Sequence, residues 1–277
     1  MPAIDAGLAA LLRRDRLAVA AALIIVTLLA WAYVLWLAAA GDMAGMDMSD
    51  MDMDGMDMSA MAGTMAPTIR SWAPADFAFM FAMWSVMMVG MMTPSVAPMV
   101  LLYAGVGRKA SESGSPIAST GWFFAGYLIV WIAFSALATI AQWLLTALAL
   151  LTPMMATSSA VLGGIVLVAV GLYQWTPLKE TCLRSCQAPL AFLITHGGFR
   201  DRPLGALRLG MAHGAYCLGC CFALMALLFV GGIMNVLWIA GLTILVLLEK
   251  IVPAGRLSPR ISGALIGAAG IWLLVQG

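Results

Sequence analysis

Charge is scarce in this chain. Only 10% of its 277 residues are Asp, Glu, Lys or Arg, and the formal balance is +1. Soluble globular domains carry charge on about a quarter of their residues. A near-zero balance with no basic stripe also argues against nucleic acid as a partner. Nothing in the sequence resembles a nucleotide-binding domain, so any transport would be passive, gradient-driven or partner-driven. What fills the chain instead is apolar: 63% of residues are hydrophobic.

The few charges are clustered, and between them run apolar segments close to the ~20 residues that cross a bilayer as a helix. Seven such segments are expected, at 17–40, 77–103, 121–150, 155–175, 209–230, 233–248 and 261–275. The last two sit near the lower length limit. Lys and Arg set the orientation. Arg13, Arg14 and Arg16 precede the first segment, and Arg108 and Lys109 follow the second. Lys179, Arg184, Arg200, Arg202 and Arg208 lie between the fourth and fifth, and Lys250, Arg256 and Arg260 between the sixth and seventh. With seven spans all of these fall on the cytoplasmic side and only Arg70 lies outside. The expectation is an all-α polytopic helix bundle in a bacterial inner membrane, with the N-terminus cytoplasmic and the C-terminus outside. Its parts are a cytoplasmic N-terminus and first span (1–40), an extracytoplasmic loop (41–75) and a six-span membrane domain (76–277) with a cytoplasmic segment at 176–208. The first segment has the basic flank and the Ala38-Ala39-Ala40 end of a signal sequence, but its apolar stretch exceeds the usual 7–15 residues, which favours a retained span.

The loop contains the sequence GDMAGMDMSDMDMDGMDMSAMAGTM, residues 41–65. It holds no Lys, Arg, aromatic or β-branched apolar residue before Thr64, and cannot build a core. It also has no Cys and no His, which weakens any Zn(II) or Cu(II) site. Met43, Met46, Met48, Met51, Met53, Met56 and Met58, with Met61 and Met65, supply neutral thioethers suited to Cu(I). Six aspartates interleave with them and attract any cation. The alternative is an acidic linker, although linkers are usually rich in Ser, Gly and Pro, and exposed Met is prone to oxidation.

The second segment carries a methionine stripe. At 100° per residue Met80, Met83, Met87 and Met91 fall on one face, with Met88, Met92 and Met99 beside it. Pro94 and Pro98 are expected to interrupt the helix and free carbonyls. The stripe reads either as a soft-ligand path or as packing by adaptable side chains.

His213, Cys217, Cys220 and Cys221 lie on one face of the fifth segment but extend over about 12 Å, too far for all four to bind one ion. Cys182 and Cys186 repeat the i, i+4 spacing on the same side of the membrane. In a reducing cytoplasm, ligand or redox roles outrank structural disulfides. Buried Cys acting as a small apolar residue is the competing explanation. Glu249, ending the sixth segment on that side, is a further candidate ligand. Gln142 and Asn235 read as hydrogen bonders between helices, and His196 as surface loop.

Three blocks together resemble a bacterial family of uncharacterised, predicted metal-binding integral membrane proteins. They are Met83-Trp84-Ser85-Val86-Met87-Met88 through Met91-Met92-Thr93-Pro94 to Pro98-Met99; Tyr173-Gln174-Trp175-Thr176-Pro177-Leu178-Lys179 with Cys182 and Cys186; and His213-Gly214, Tyr216-Cys217, Gly219-Cys220-Cys221, Gly232, Met234-Asn235 and Glu249-Lys250. The resemblance runs from about Ala75 to the C-terminus and implies a membrane protein suspected of binding metal; the Met/Asp tract lies outside it.

The sequence reading is therefore copper handling, with copper as Cu(I) or another soft metal. Capture falls to the tract and the Met-lined helix, and a Cys/His site lies on the inner side. A periplasmic metal-carrying protein is the expected partner alongside the lipid bilayer. The alternatives are a membrane thiol-disulfide oxidoreductase, in which Cys217-Leu218-Gly219-Cys220 supplies a Cys-x-x-Cys, and a scaffold or assembly subunit of a membrane metalloenzyme complex.

Overall fold

The computed structural model describes residues 2–49, 72–112, 118–152, 155–199, 201–252 and 257–276. The chain there is helical: α1 (Pro2–Ser49), α2 (Pro74–Glu112), α3 (Thr120–Ala147), α4 (Ala160–Tyr173), α5 (Pro177–Gln187), α6 (Pro189–Thr195), α7 (Pro203–Ala226), α8 (Leu228–Gly231), α9 (Val236–Ile251) and α10 (Leu257–Gln276). Among the described residues the extended structure is a single bridge, Leu151 to Thr157.

Five segments are long and apolar enough to cross a membrane: Leu17–Ala40, Pro74–Arg108, Thr120–Ala147, Pro203–Gly231 and Leu257–Gln276. A sixth arises if α4 and α5, bent by 65° at the break between them, count as one. Seven is thus approximate. Residues 155–159, expected to begin the fourth span, lie in a small hairpin in which Thr152 N–H bonds the Ala156 carbonyl and Ser158 N–H that of Leu150. Helix α9 begins only at Val236, where Asn235 Oδ1 accepts the Trp238 amide. Its 16 residues reach about 24 Å at 1.5 Å each, short of a ~30 Å hydrocarbon layer. Asn235 therefore caps its own helix and also bonds between helices, its Nδ2 donating to the Gly231 carbonyl at the end of α8 at 3.3 Å.

Helices α2 and the α7–α8 segment form the centre, half of their most apolar residues buried, whereas α1 and α10 are mostly exposed and lie at the periphery. Helix α2 runs unbroken through Pro94 and Pro98, where an interruption was expected. Beside the prolines two hydroxyls turn back onto the same helix: Thr93 Oγ1 donates to Val89 O at 2.7 Å, and Ser95 Oγ to Met92 O at 2.9 Å.

Glycine brings α3 and α7 together. A Cβ on Gly210 would collide with the Phe123 carbonyl, and one on Gly126 with that of Leu207. Gly214 faces Tyr127 and Val130 one turn further along both helices, so the two run in the same direction. Close approach through small residues is the usual route to helix contact in a medium where apolar burial drives little.

The chain turns from α4 into α5 because Pro177 cannot continue the first helix and is well placed to start the second. Thr176 Oγ1 caps α5 by accepting the Lys179 amide at 3.3 Å. The turn lays α5 beside α7. Its buried face carries Lys179, Cys182 and Leu183, while Glu180 and Arg184 pair on the outer face.

Candidate metal centre

The methionines of α2 face protein. Met83, Met87, Met88, Met91, Met92 and Met99 are each 3% exposed or less. At the start of this row, Gln142 of α3 is buried among sulfurs. Its Oε1 accepts from Trp84 Nε1 at 2.7 Å. Because indole can only donate, this bond fixes the amide, and Nε2 faces Met155 Sδ at 3.1 Å and Met80 Sδ at 3.5 Å. Met155 reaches this position from a left-handed backbone, φ 57°, which costs a non-glycine residue of order 1 kcal/mol or more. Gln142 thus joins helices, as expected, and its thioether partners were not foreseen.

At the far end of the row lie the cysteines. Four helices converge on Cys217 of α7. Lys250 Nζ (α9) donates to its Sγ at 2.9 Å, and the Tyr127 hydroxyl (α3) lies 3.1 Å from it. Lys250 also donates to Ser95 Oγ (α2) at 3.0 Å, and Tyr127 to Met92 O at 3.2 Å. Cys220 and Cys221 donate to the Cys217 carbonyl at 3.0 and 2.9 Å. Cys186 Sγ of α5 lies 3.9 Å from Cys220 Sγ. Cys182 packs over Gly219, where a Cβ would come within 2.7 Å of its sulfur. All five thiols are free.

His213, one turn before Cys217, is 3% exposed. Its ring is walled by Phe192 at 5.0 Å, Phe123 at 6.0 Å and Tyr127 at 6.1 Å between centroids. Its Nδ1 is buried without a hydrogen-bond partner, an unusual state for a polar atom in a protein interior. His196 caps α6 and stacks on Phe192 at 4.2 Å, so Phe192 touches both histidines. Beyond His196 opens a cavity of about 660 Å³ lined by Asp201, Arg202 and Arg208 among others.

Glu249 has its oxygens engaged elsewhere. Oε2 receives Lys179 Nζ at 2.6 Å, and Oε1 receives Gln174 Nε2 at 3.1 Å and Ser262 Oγ at 2.7 Å. Both charged partners are almost fully buried. Met43, Met46 and Met48 fall on the last turns of α1, whose side chains there lie outside the description, and Met51, Met53, Met56 and Met58 lie outside the described residues.

The structure therefore brings Cys186, Cys217, Cys220 and Cys221 into one cluster with His213 beside it, and leaves Met80 at the other end of the bundle. Among the described residues no three His, Cys, Asp or Glu side chains converge to hold one ion. The donors present, sulfurs and one unpartnered imidazole nitrogen, suit a soft ion satisfied by two ligands. Sequence reasoning missed Lys250, Tyr127 and Ser95 around Cys217. A lysine beside Glu249 at the end of an apolar segment was the available signal, since a charge there is either at the interface or paired inside.

A family model described as PpoB2, copper chaperone, matches residues 81–273. That span includes α2 from Phe81 onward, α3 to α9, most of α10 and the whole cysteine cluster, and leaves Met80 and the Met/Asp tract outside. No curated protein and no solved structure matches the chain.

Proposed function

The chain belongs to the PpoB2 copper chaperone family, and on that premise we propose that it takes up copper as Cu(I) outside the bacterial inner membrane and passes it inward to the cysteine cluster. The tract at 41–65 gathers the ion, received from a periplasmic carrier. The ion moves along thioethers of α2 and is held at the inner side by thiolates with His213. The observation that carries this reading is the row of methionines on α2, half-buried at Met80 and buried from Met83 to Met99. From Met80, beside Met155 and Gln142, to Met92, whose carbonyl takes the Tyr127 hydroxyl that also touches Cys217, is about 18 Å at ~1.5 Å per residue. Thioethers carry no charge and exchange soft ions without losing a proton, so a row of them offers Cu(I) successive sites of similar affinity. Cys217 and its neighbours add stronger donors at the end of the row.

The test is elemental analysis of protein purified without oxygen, both intact and lacking 41–65. Copper is expected to stay with the shortened protein, and Cys217→Ser or His213→Ala to release it, because losing one ligand weakens the whole site. The 3.9 Å between Cys186 and Cys220 sulfurs keeps one rival in play. If the shortened protein carries no copper, and its cysteines instead cycle between dithiol and disulfide with a quinone or a thioredoxin-like partner, the protein is a thiol oxidoreductase.

A further inference from the structure

Resting on the reading of the cysteine cluster as a Cu(I) site, we propose that Lys250 is its fixed counter-charge and restricts it to monovalent soft ions. Lys250 is 7% exposed. Its ammonium contacts Cys217 Sγ at 2.9 Å and Ser95 Oγ at 3.0 Å. The ion pairs among the described residues are Lys179–Glu249 and Arg184–Glu180, so none of them supplies Lys250 with a carboxylate. A buried ammonium without an opposite charge is strongly unfavourable. The groups placed to answer it are the sulfurs.

Charge counting then separates the ions. Cu(I) held by two thiolates of the cluster, Cys217 among them, their protons released to water, makes a unit of net charge −1, to which the neutral imidazole of His213 adds nothing. With Lys250 the site is neutral, the state a low-dielectric interior favours. The same two thiolates around Zn(II) make a neutral unit, and Lys250 is left unbalanced. A third thiolate would restore neutrality for Zn(II), but no three such ligands converge here among the described residues. The spacing of the thiols does not separate the ions, since the 3.9 Å between the Cys186 and Cys220 sulfurs lies between the ~3.8 Å of a tetrahedral pair and the ~4.6 Å of a collinear pair of ~2.3 Å metal–sulfur bonds. The lysine would select by charge where the sulfurs select by softness.

The experiment titrates the full-length protein in detergent with Cu(I) or Zn(II) and counts, by mass spectrometry, the cysteines of the cluster that each metal protects from alkylation. Thioethers of the tract do not contribute to this readout. Neutral K250M and K250Q should lower the preference for Cu(I) over Zn(II) by about tenfold or more, and cationic K250R should keep it within about threefold. Two neutral variants of different shape guard against one that fails to fold. An unchanged preference in a folded neutral variant, or a loss in K250R equal to that in K250Q, overturns the counter-charge and leaves the copper site standing. Failure of Cu(I) to protect any cysteine in the unaltered protein overturns the site and the inference together.

Discussion

Glu249 and Lys250 are adjacent in sequence, opposite in charge and satisfied by different helices. Glu249 is held by Lys179, Gln174 and Ser262, and Lys250 by Cys217 and Ser95. Removing one partner of the Glu249 pair strands a buried charge. Lys179→Met is therefore expected to destabilise the protein by about 3–5 kcal/mol, whereas Lys179→Met with Glu249→Met should cost markedly less. Thermal unfolding of the detergent-solubilised variants measures both, and a double variant as unstable as the single would refute the pairing. The sequence made Glu249 a candidate ligand because carboxylates bind metals. It could not reveal the competing lysine, which lies 70 residues away and approaches only because α5 folds back. The thiols were legible for the opposite reason: their spacing along single helices is local, so a common face follows from helix geometry.

Helix type was easy to read in the sequence; helix ends were not. Hydropathy registers apolar length, but it does not register Asn235 capping α9 late or the bonds of Thr152 and Ser158 that keep residues 155–158 out of α4, since both depend on particular hydrogen bonds. The glycines show a similar limit. Gly210 and Gly241 look alike in sequence, yet a Cβ on Gly210 meets the Phe123 backbone while one on Gly241 meets nothing within 4 Å. Gly210→Val should accordingly separate α3 from α7 and destabilise the fold by about 3 kcal/mol or more. Gly241→Ala should be neutral or stabilising by about 0.5–1 kcal/mol through helix propensity. The midpoint of thermal unfolding compares the two directly, and a tolerated Gly210→Val would mean that the seam is not closely packed.

For the whole molecule, orientation and metal capture are separable questions. From the one-sided distribution of Lys and Arg the C-terminus is expected outside. Reporter fusions after Gly277 should be active only on the periplasmic side, and cytoplasmic activity would require an even number of spans. A peptide of residues 41–65 should bind Cu(I) or Ag(I) under reducing conditions more tightly than a Met→Leu control; equal binding would reduce the tract to a linker. Neither property was accessible to packing arguments, because the tract has no core to pack.

The rigid seam between α3 and α7 lies against a row of the most pliable side chains a protein has, and the two divide the labour of movement. Backbones packed this closely through glycine leave little space between them. Methionine has three freely turning bonds and a polarizable sulfur. An ion advancing along α2 would then be handed on by rotamer swings, with the helices standing still as its banks. Methyl resonances of Met83, Met87 and Met91 should report motion and shift on Ag(I) binding while the α3 and α7 backbone signals stay in place. Backbone shifts of comparable size in α3 and α7 would assign the movement to the helices instead.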